Sequence, residues 1–557
     1  MRFSSIVSVA PIAAALLAAC APKPQEPADL VVVNAKVYTA DSAHWTADAF
    51  AVKAGRFVYI GNQRGAMAYR GTQTQLEDLH GAMVTPGLVD AHGHVLNLGE
   101  SLRNVQVAGM NSYDDVIAAV VERAKTTPKG EWIIGRGWDQ NRFADKQFPT
   151  HDKLSKAVPD HPVFLTRIDG HTGLANAAAM RIAKITVATK DPDGGRVIRD
   201  KNGAPTGVFV DNAKALVQHA IPPLTHDQTK EAILRAQDEM HKWGLTGAHD
   251  AGEGKLAIDV YQELGAAHQL TSRFYVMLSD DSLLLKEWFR RNPAVGEFDG
   301  TLWIRMIKGY MDGALGSRGA ALLAPYSDSP GDSGLLLSKP EHIRELADQA
   351  LLHGYQLGVH AIGDRGNRLV LDAYAAALKA HPTNDHRFRI EHAQILDPAD
   401  IPRFKQLGVI PSMQGSHQTS DMGWAAERLG EKRLVGAYAW QSLLKTGVIV
   451  PNGSDFPVEK VNPLISFHSA FTRQNDKSEP PGGWQPQEKM TRDQAFLSMT
   501  LWPAMAAFQE KELGSITIGK RADFTVPDQD IMAVAAEKVL ATNVVSTWVG
   551  GKRVYSK

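Results

Sequence analysis

Eight short aliphatic runs alternate with longer amphipathic segments through the middle of this chain: residues 88–94, 245–250, 273–278, 304–311, 356–361, 388–392, 409–413 and 448–454. Strands that alternate with helices build a parallel sheet, and eight of them are enough to close it into a (β/α)8 TIM-type barrel. The intervening stretches, such as 341–353 and 369–380, carry apolar residues at helical spacing and are expected to form the outer ring. In such a barrel the chemistry sits at the C-terminal ends of the strands. The first run ends in His92-Gly93-His94, and side chains at i and i+2 of a strand share a face. His360 and His392 end two later runs, Asp455 follows the last, and Lys308 lies within 304–311 just before Asp312. A single buried histidine is commonly a hydrogen-bonded core residue. Four histidines, a lysine and an aspartate at five strand ends are hard to explain as packing.

The remaining segments fall into separate units. Arg2, an apolar stretch from Ile6 to Leu17 and Leu17-Ala18-Ala19-Cys20 have the form of a signal peptide (1–19) ending in a lipobox-like cysteine. Cys20 is the only cysteine, so the mature chain has no disulfide. Residues 20–28 read as a lipidated, proline-rich tether. The expectation is an exported bacterial lipoprotein, anchored to a membrane at Cys20 and facing the periplasm; a chance cysteine in an alanine-rich leader is the alternative. Residues 29–84 and 513–557 are β-rich, and neither has enough strands to cover a sheet alone, so both are expected to pair into one composite β-sandwich. The barrel domain then spans 85–512. Residues 95–242 are too long for a βα loop and contain strand-like runs at 132–136 and 163–165. They read as an inserted subdomain overhanging the barrel mouth. Lys plus Arg (60) nearly cancels Asp plus Glu (61), and no basic run occurs, which argues against nucleic acid as a partner.

Beyond these patterns the chain resembles the amidohydrolase superfamily, and within it amidohydrolase family 3, the N-substituted formamide deformylase-like metal-dependent hydrolases. The resemblance runs from Leu30 to Val554 and rests on Gly135-Arg136-Gly137-Trp138-Asp139, Asp169-Gly170-His171-Thr172, Pro205-Thr206-Gly207, Asp312-Gly313-Ala314-Leu315-Gly316-Ser317-Arg318, His360-Ala361-Ile362-Gly363-Asp364, Gly453-Ser454-Asp455-Phe456-Pro457 and Gly519-Lys520-Arg521-Ala522-Asp523. It implies that His92, His94 and Asp455 hold the more buried metal and that His360 and His392 hold a second. Lys308 would be a carboxylated lysine bridging two Zn2+ ions, since a carbamate is an anionic oxygen donor where a neutral amine is a poor one. The alternative is a single metal, with Lys308 an ammonium group paired to Asp312. Histidine and carboxylate ligands suit Zn, Mn, Fe or Co.

The resemblance also puts His171 and Trp138 at the substrate pocket, with a loop histidine and a subdomain-core tryptophan as the competing readings. His417 is a candidate substrate contact or a solvated loop residue. Arg318, Asp364 and Asp312 are candidate partners of the ligating histidines. His249 is read as structural or pocket-lining, and His161 as solvent-exposed. The implied reaction is hydrolysis of an amide C–N bond in a small N-acyl or N-formyl amine or a cyclic amide. Metal-activated hydroxide would attack, and Asp455 would serve as general base and then general acid. A lactone or ester hydrolase with the same machinery, or a non-catalytic solute-binding lipoprotein, is the alternative.

Overall fold

The computed structural model describes residues 25–557 except 168–171, 193–194 and 317; the leader and Cys20 lie outside the described residues. Eight parallel strands line up in chain order: β1 (Leu88–Gly93), β2 (Leu245–Glu253), β3 (Arg273–Ser279), β4 (Leu302–Tyr310), β5 (Gln356–Ala361), β6 (Arg389–His392), β7 (Ile410–Gln414) and β8 (Asn452–Gly453). Helices such as Pro340–His353 and Asp364–Ala380 cover the outside. The first of these buries Ile343, Leu346, Ala347 and Ala350, one stripe at helical spacing. It begins with Pro340 and stops at Gly354, whose φ of 74° supplies the left-handed turn that ends a helix.

The seam between β8 and β1 nearly closes the barrel. Asp455 N donates to the His92 carbonyl (2.7 Å) and His94 N to the Phe456 carbonyl (2.8 Å). The Asp90 carboxylate accepts from Ser454 Oγ (2.7 Å), Ser454 N (3.0 Å) and His92 N (3.1 Å), stapling the two strands. Gly453 permits this approach, because a Cβ there would lie 2.5 Å from His92 N. Regular pairing in β8 is shorter than the run 448–454 suggests. Pro451 has no N–H to give and contributes only its carbonyl, to Met413 N (3.0 Å).

Both chain ends build the sandwich. One sheet holds Arg56–Gly61, Ala49–Lys53, Leu30–Val33 and Gln75–Asp78. In the other, Met83–Pro86 pairs antiparallel with Phe524–Pro527, joining the early strands to the last three. Phe50, Phe57, Val84, Phe524 and Trp548 fill the space between the sheets, with Phe524 stacked on Trp548 at 5.1 Å. Arg273 on β3 fastens the barrel to this domain through a bidentate pair with Asp523 at 2.9 Å, both side chains almost wholly buried. Arg273→Ala strands the Asp523 carboxylate in that interface. It is expected to cost about 3–5 kcal/mol in denaturant unfolding; a loss under 1 kcal/mol would show that water reaches the pair.

The insertion carries its own six-stranded sheet, from Val105–Gln106 to Pro205–Asp211. The helices at its two ends, Val95–Ser101 and His226–Lys242, pack on each other so closely that a Cβ on Gly99 would meet the Ala232 carbonyl at 1.9 Å. By packing these helices belong to the barrel wall, and the inserted fold is the sheet between them.

Candidate metal centre

The strand ends bring His92, His94, Lys308, His360, His392 and Asp455 around one cavity of about 350 Å3. Rings of His92, on β1, and His94, just past its end, lie 5.7 Å apart. His392 bridges to the second pair, 4.9 Å from His92 and 4.5 Å from His360. His392 (φ 76°) and Asp455 (φ 61°) both hold left-handed backbone, a strain that non-glycine residues keep where surrounding structure fixes them.

The state of each imidazole follows from what faces its outer nitrogen. His92 Nδ1 lies 2.5 Å from Glu391 Oε2, His94 Nδ1 3.0 Å from the Ala251 carbonyl, and His392 Nδ1 2.8 Å from Gln414 Oε1. All three partners are acceptors, so each Nδ1 carries the proton and each Nε2 presents a lone pair. Asp455 Oδ1 sits 3.0 Å from His94 Nε2 and 3.7 Å from His92 Nε2. These three lone-pair atoms thus meet with no proton of their own to share; Lys308 Nζ approaches His92 Nε2 at 3.2 Å. His360 Nε2 and Asp455 Oδ1 are buried and have no hydrogen-bond partner among the described residues. A divalent cation is what this arrangement lacks, and His92, His94 and Asp455 are placed to hold one.

The electrostatics agree. Burial lowers His92 to about 4 and His360 to about 3, with Lys308 adding to both, so the rings are neutral as ligation requires. Burial would raise the Asp455 carboxyl, but positive charge at the positions of His94, His92 and His417 outweighs it and holds the group well below the usual carboxylate range. Lys308 falls to about 8 by burial, against the pull of Glu391 and Asp455; its Nζ is 3.2 Å from His92 Nε2.

Beneath the rings lies a pair that the sequence reading passes over. Glu391 is fully buried and ion-paired with Arg389 at 2.7 Å, whose Nη2 also donates to the Ala91 carbonyl and to Ser412 Oγ, each at 2.7 Å. Arg389 and His92 outweigh burial and keep Glu391 ionised. Glu391→Gln replaces the carboxylate that fixes the His92 tautomer. The expected result is 10- to 100-fold weaker metal affinity in chelator competition; unchanged affinity would remove Glu391 from that role.

Other expected residues are placed differently. Asp312 does not pair with Lys308: its carboxylate accepts from the backbone N–H groups of Ala321, Ile362 and Gly363 at 2.8–2.9 Å, tying the loop after β4 to β5. Its Oδ1 is 3.7 Å from His360 Nε2. Arg318 turns to Asp328 (2.8 Å), and Asp364 accepts from Leu323 N and Arg365 N, so both are committed to loop structure instead of to a ligating ring. Trp138 is sealed in the core of the insertion, its indole N–H donating to the Leu165 carbonyl at 2.8 Å. His171 lies outside the described residues. His161 is buried, with Nδ1 3.1 Å from the Glu131 carbonyl, and His249 contacts Arg389 Nη1 at 2.9 Å under the site. His417 is buried and faces the cavity, 3.6 Å from Asp455.

Around the polar cluster the cavity wall combines apolar and aromatic side chains (Tyr310, Leu315, Ile362, Trp424 and Val458) with the polar side chains of Gln394, Asp421 and Glu459. Among the described residues lining it, none comes from the insertion, which was expected to overhang the mouth.

Comparison with known proteins agrees with this geometry. The amidohydrolase family profile matches residues 75–555. The chain is 33% identical over 541 residues to Protein LONG AFTER FAR-RED 3 of Arabidopsis thaliana, covering 95% of this chain and 92% of that one. It is 26% identical over 544 residues to the N-substituted formamide deformylase of Arthrobacter pascens, covering 95% and 98%. Among solved structures, an uncharacterized metal-dependent hydrolase from Pyrococcus furiosus superposes with a TM-score of 0.76 at 28% identity, over 90% of this chain and 99% of that one.

Proposed function

This chain belongs to the amidohydrolase family and is a metal-dependent hydrolase, and from that premise we propose that it cleaves the amide C–N bond of a small N-acyl or N-formyl amine or a cyclic amide. The observation that carries the reading is the convergence of the His92, His94 and Asp455 lone pairs beside a 350 Å3 cavity whose wall is partly apolar. That volume suits a small ligand held by apolar contacts with a few oriented polar groups. The likeness to a formamide deformylase supports an amide over an ester.

Bound divalent ions supply a Lewis acid for the carbonyl and acidify water to near neutrality. His92, His94 and Asp455 would hold one ion, His360 and His392 the second, and Lys308, as a carbamate, would serve both. A neutral Lys308 amine is the form that takes up CO2 as a carbamate, and burial enlarges that fraction by bringing the group to about 8. Asp455, ionised throughout the neutral range, accepts the proton of the attacking water and returns it to the departing nitrogen. Tyr310, Ile362 and Trp424 supply apolar surface beside the site.

The test is turnover of matched amides, lactones and esters alongside metal analysis. Amide turnover with two metals per chain is the expected result. Ester-only turnover would move the assignment to a lactone or ester hydrolase. Metal-free protein inactive on every compound would leave a solute-binding role. We also propose that Cys20 carries a lipid anchor, on the strength of Leu17-Ala18-Ala19-Cys20. Cys20→Ala should move the protein from the membrane to the soluble fraction; a variant still in the membrane fraction ends that proposal.

A further inference from the structure

We infer that His417 is a catalytic hydrogen-bond donor to the substrate carbonyl, and that it is not a metal ligand, although it lies among the ligands. The inference rests on the amide reading above and adds a residue to it. Distance alone points the other way. His417 stacks on His392 at 5.8 Å and 15°, its Nε2 is 3.6 Å from Asp455 Oδ2, and His392, His417 and Asp455 are close enough to hold an ion.

The outer nitrogen decides. Gln394 Nε2 lies 2.9 Å from His417 Nδ1. An amide NH2 is a donor, so Nδ1 must offer it a lone pair, and the ring's proton resides on Nε2. This is the reverse of His92, His94 and His392, whose outer nitrogens face a carboxylate, a carbonyl and an amide oxygen. A protonated nitrogen cannot ligate. An imidazolium would set two donors face to face at Gln394, so the neutral Nε2–H form is the one that this neighbour selects. His417 is only 8% exposed, and its Nε2 has no hydrogen-bond partner among the described residues.

A buried N–H aimed into the cavity, beside the carboxylate assigned as base, is placed to bond the carbonyl oxygen as negative charge develops on it. No proton leaves His417 in this role. Water adds to the carbon, the C–N bond breaks, and Asp455 carries the proton to the amine. Removing one such donor commonly lowers kcat about 10²- to 10³-fold.

The experiment uses the metal-loaded full chain, its Co2+-substituted form, and the variants His417→Ala and Gln394→Glu. In His417→Ala, metal content and the Co2+ absorption spectrum should match the parent. Its kcat should fall about 10²- to 10³-fold with KM little changed. Gln394→Glu keeps the imidazole but offers Nδ1 an acceptor, draws the proton to it, and should give a similar loss. Two-bond 1H–15N spectra of histidine-labelled protein, with the His417 signal identified by its disappearance in His417→Ala, should show the Nε2–H tautomer. Calorimetric affinity for methylphosphonate, a stable tetrahedral oxyanion, should drop about tenfold in His417→Ala. A lost metal equivalent, a shifted Co2+ spectrum or an Nδ1–H tautomer would each overturn the inference. These three readouts and the methylphosphonate titration need no substrate. If they come out as expected while no amide is hydrolysed, the amide reading fails and the tautomer assignment stands.

Discussion

Replacing Asp455 by asparagine will lower kcat by about 10³-fold or more while the protein stays folded. General acid–base catalysis by one positioned side chain contributes roughly 10²- to 10⁴-fold, and here the same carboxylate would also hold an ion, so the upper part of that range is expected. The substitution keeps the volume and one oxygen, and the backbone bond from Asp455 N to the His92 carbonyl is untouched. The thermal midpoint should therefore move by only a few degrees. Metal analysis of the same preparation separates loss of the base from loss of the ion. A variant keeping a tenth of the parental kcat would remove Asp455 from proton transfer, whatever its place in the metal site.

Stripping the metal with a strong chelator will abolish turnover and lower the thermal midpoint, and Zn2+, Mn2+ or Co2+ should restore both. The second effect is the more diagnostic. Without a cation, Asp455 Oδ1 faces the lone pairs of His94 Nε2 at 3.0 Å and His92 Nε2 at 3.7 Å, acceptors with no proton of their own to share. An ion present at a thousand times its dissociation constant stabilises the folded state by about 4 kcal/mol, which is several degrees for a chain of this size. Turnover in chelator-treated protein shown to be metal-free would contradict the assignment of the centre.

The histidine and aspartate candidates could be read from the sequence because they recur where several successive aliphatic runs stop, which packing alone does not require. The supporting pair could not. In Arg389-Ile390-Glu391-His392 the two charges alternate as they would on a solvated face, yet both lie wholly inside the barrel and pair with each other. Strand periodicity says which residues share a side, not which side is wet. His392 also departs from the alternation through its left-handed backbone, which no pattern announces. The family motifs around Arg318 and Asp364 mark real elements, but those side chains hold loops together through Asp328 and the Leu323 N–H. Asp90 lay in plain view between Val89 and Ala91. Its bond to Ser454 closes the seam between strands 364 residues apart in sequence and leaves no local trace.

That staple has a temporal consequence. Asp90 and Ser454 are 364 residues apart, and each neighbours a residue that would hold the same ion. On a ribosome adding about 5–20 residues per second, the early histidines wait roughly 20–70 s for their carboxylate partner to emerge. The site of His92, His94 and Asp455 therefore cannot be complete until residue 455 has been made, and a chain cut short before it would carry the two imidazoles without their carboxylate.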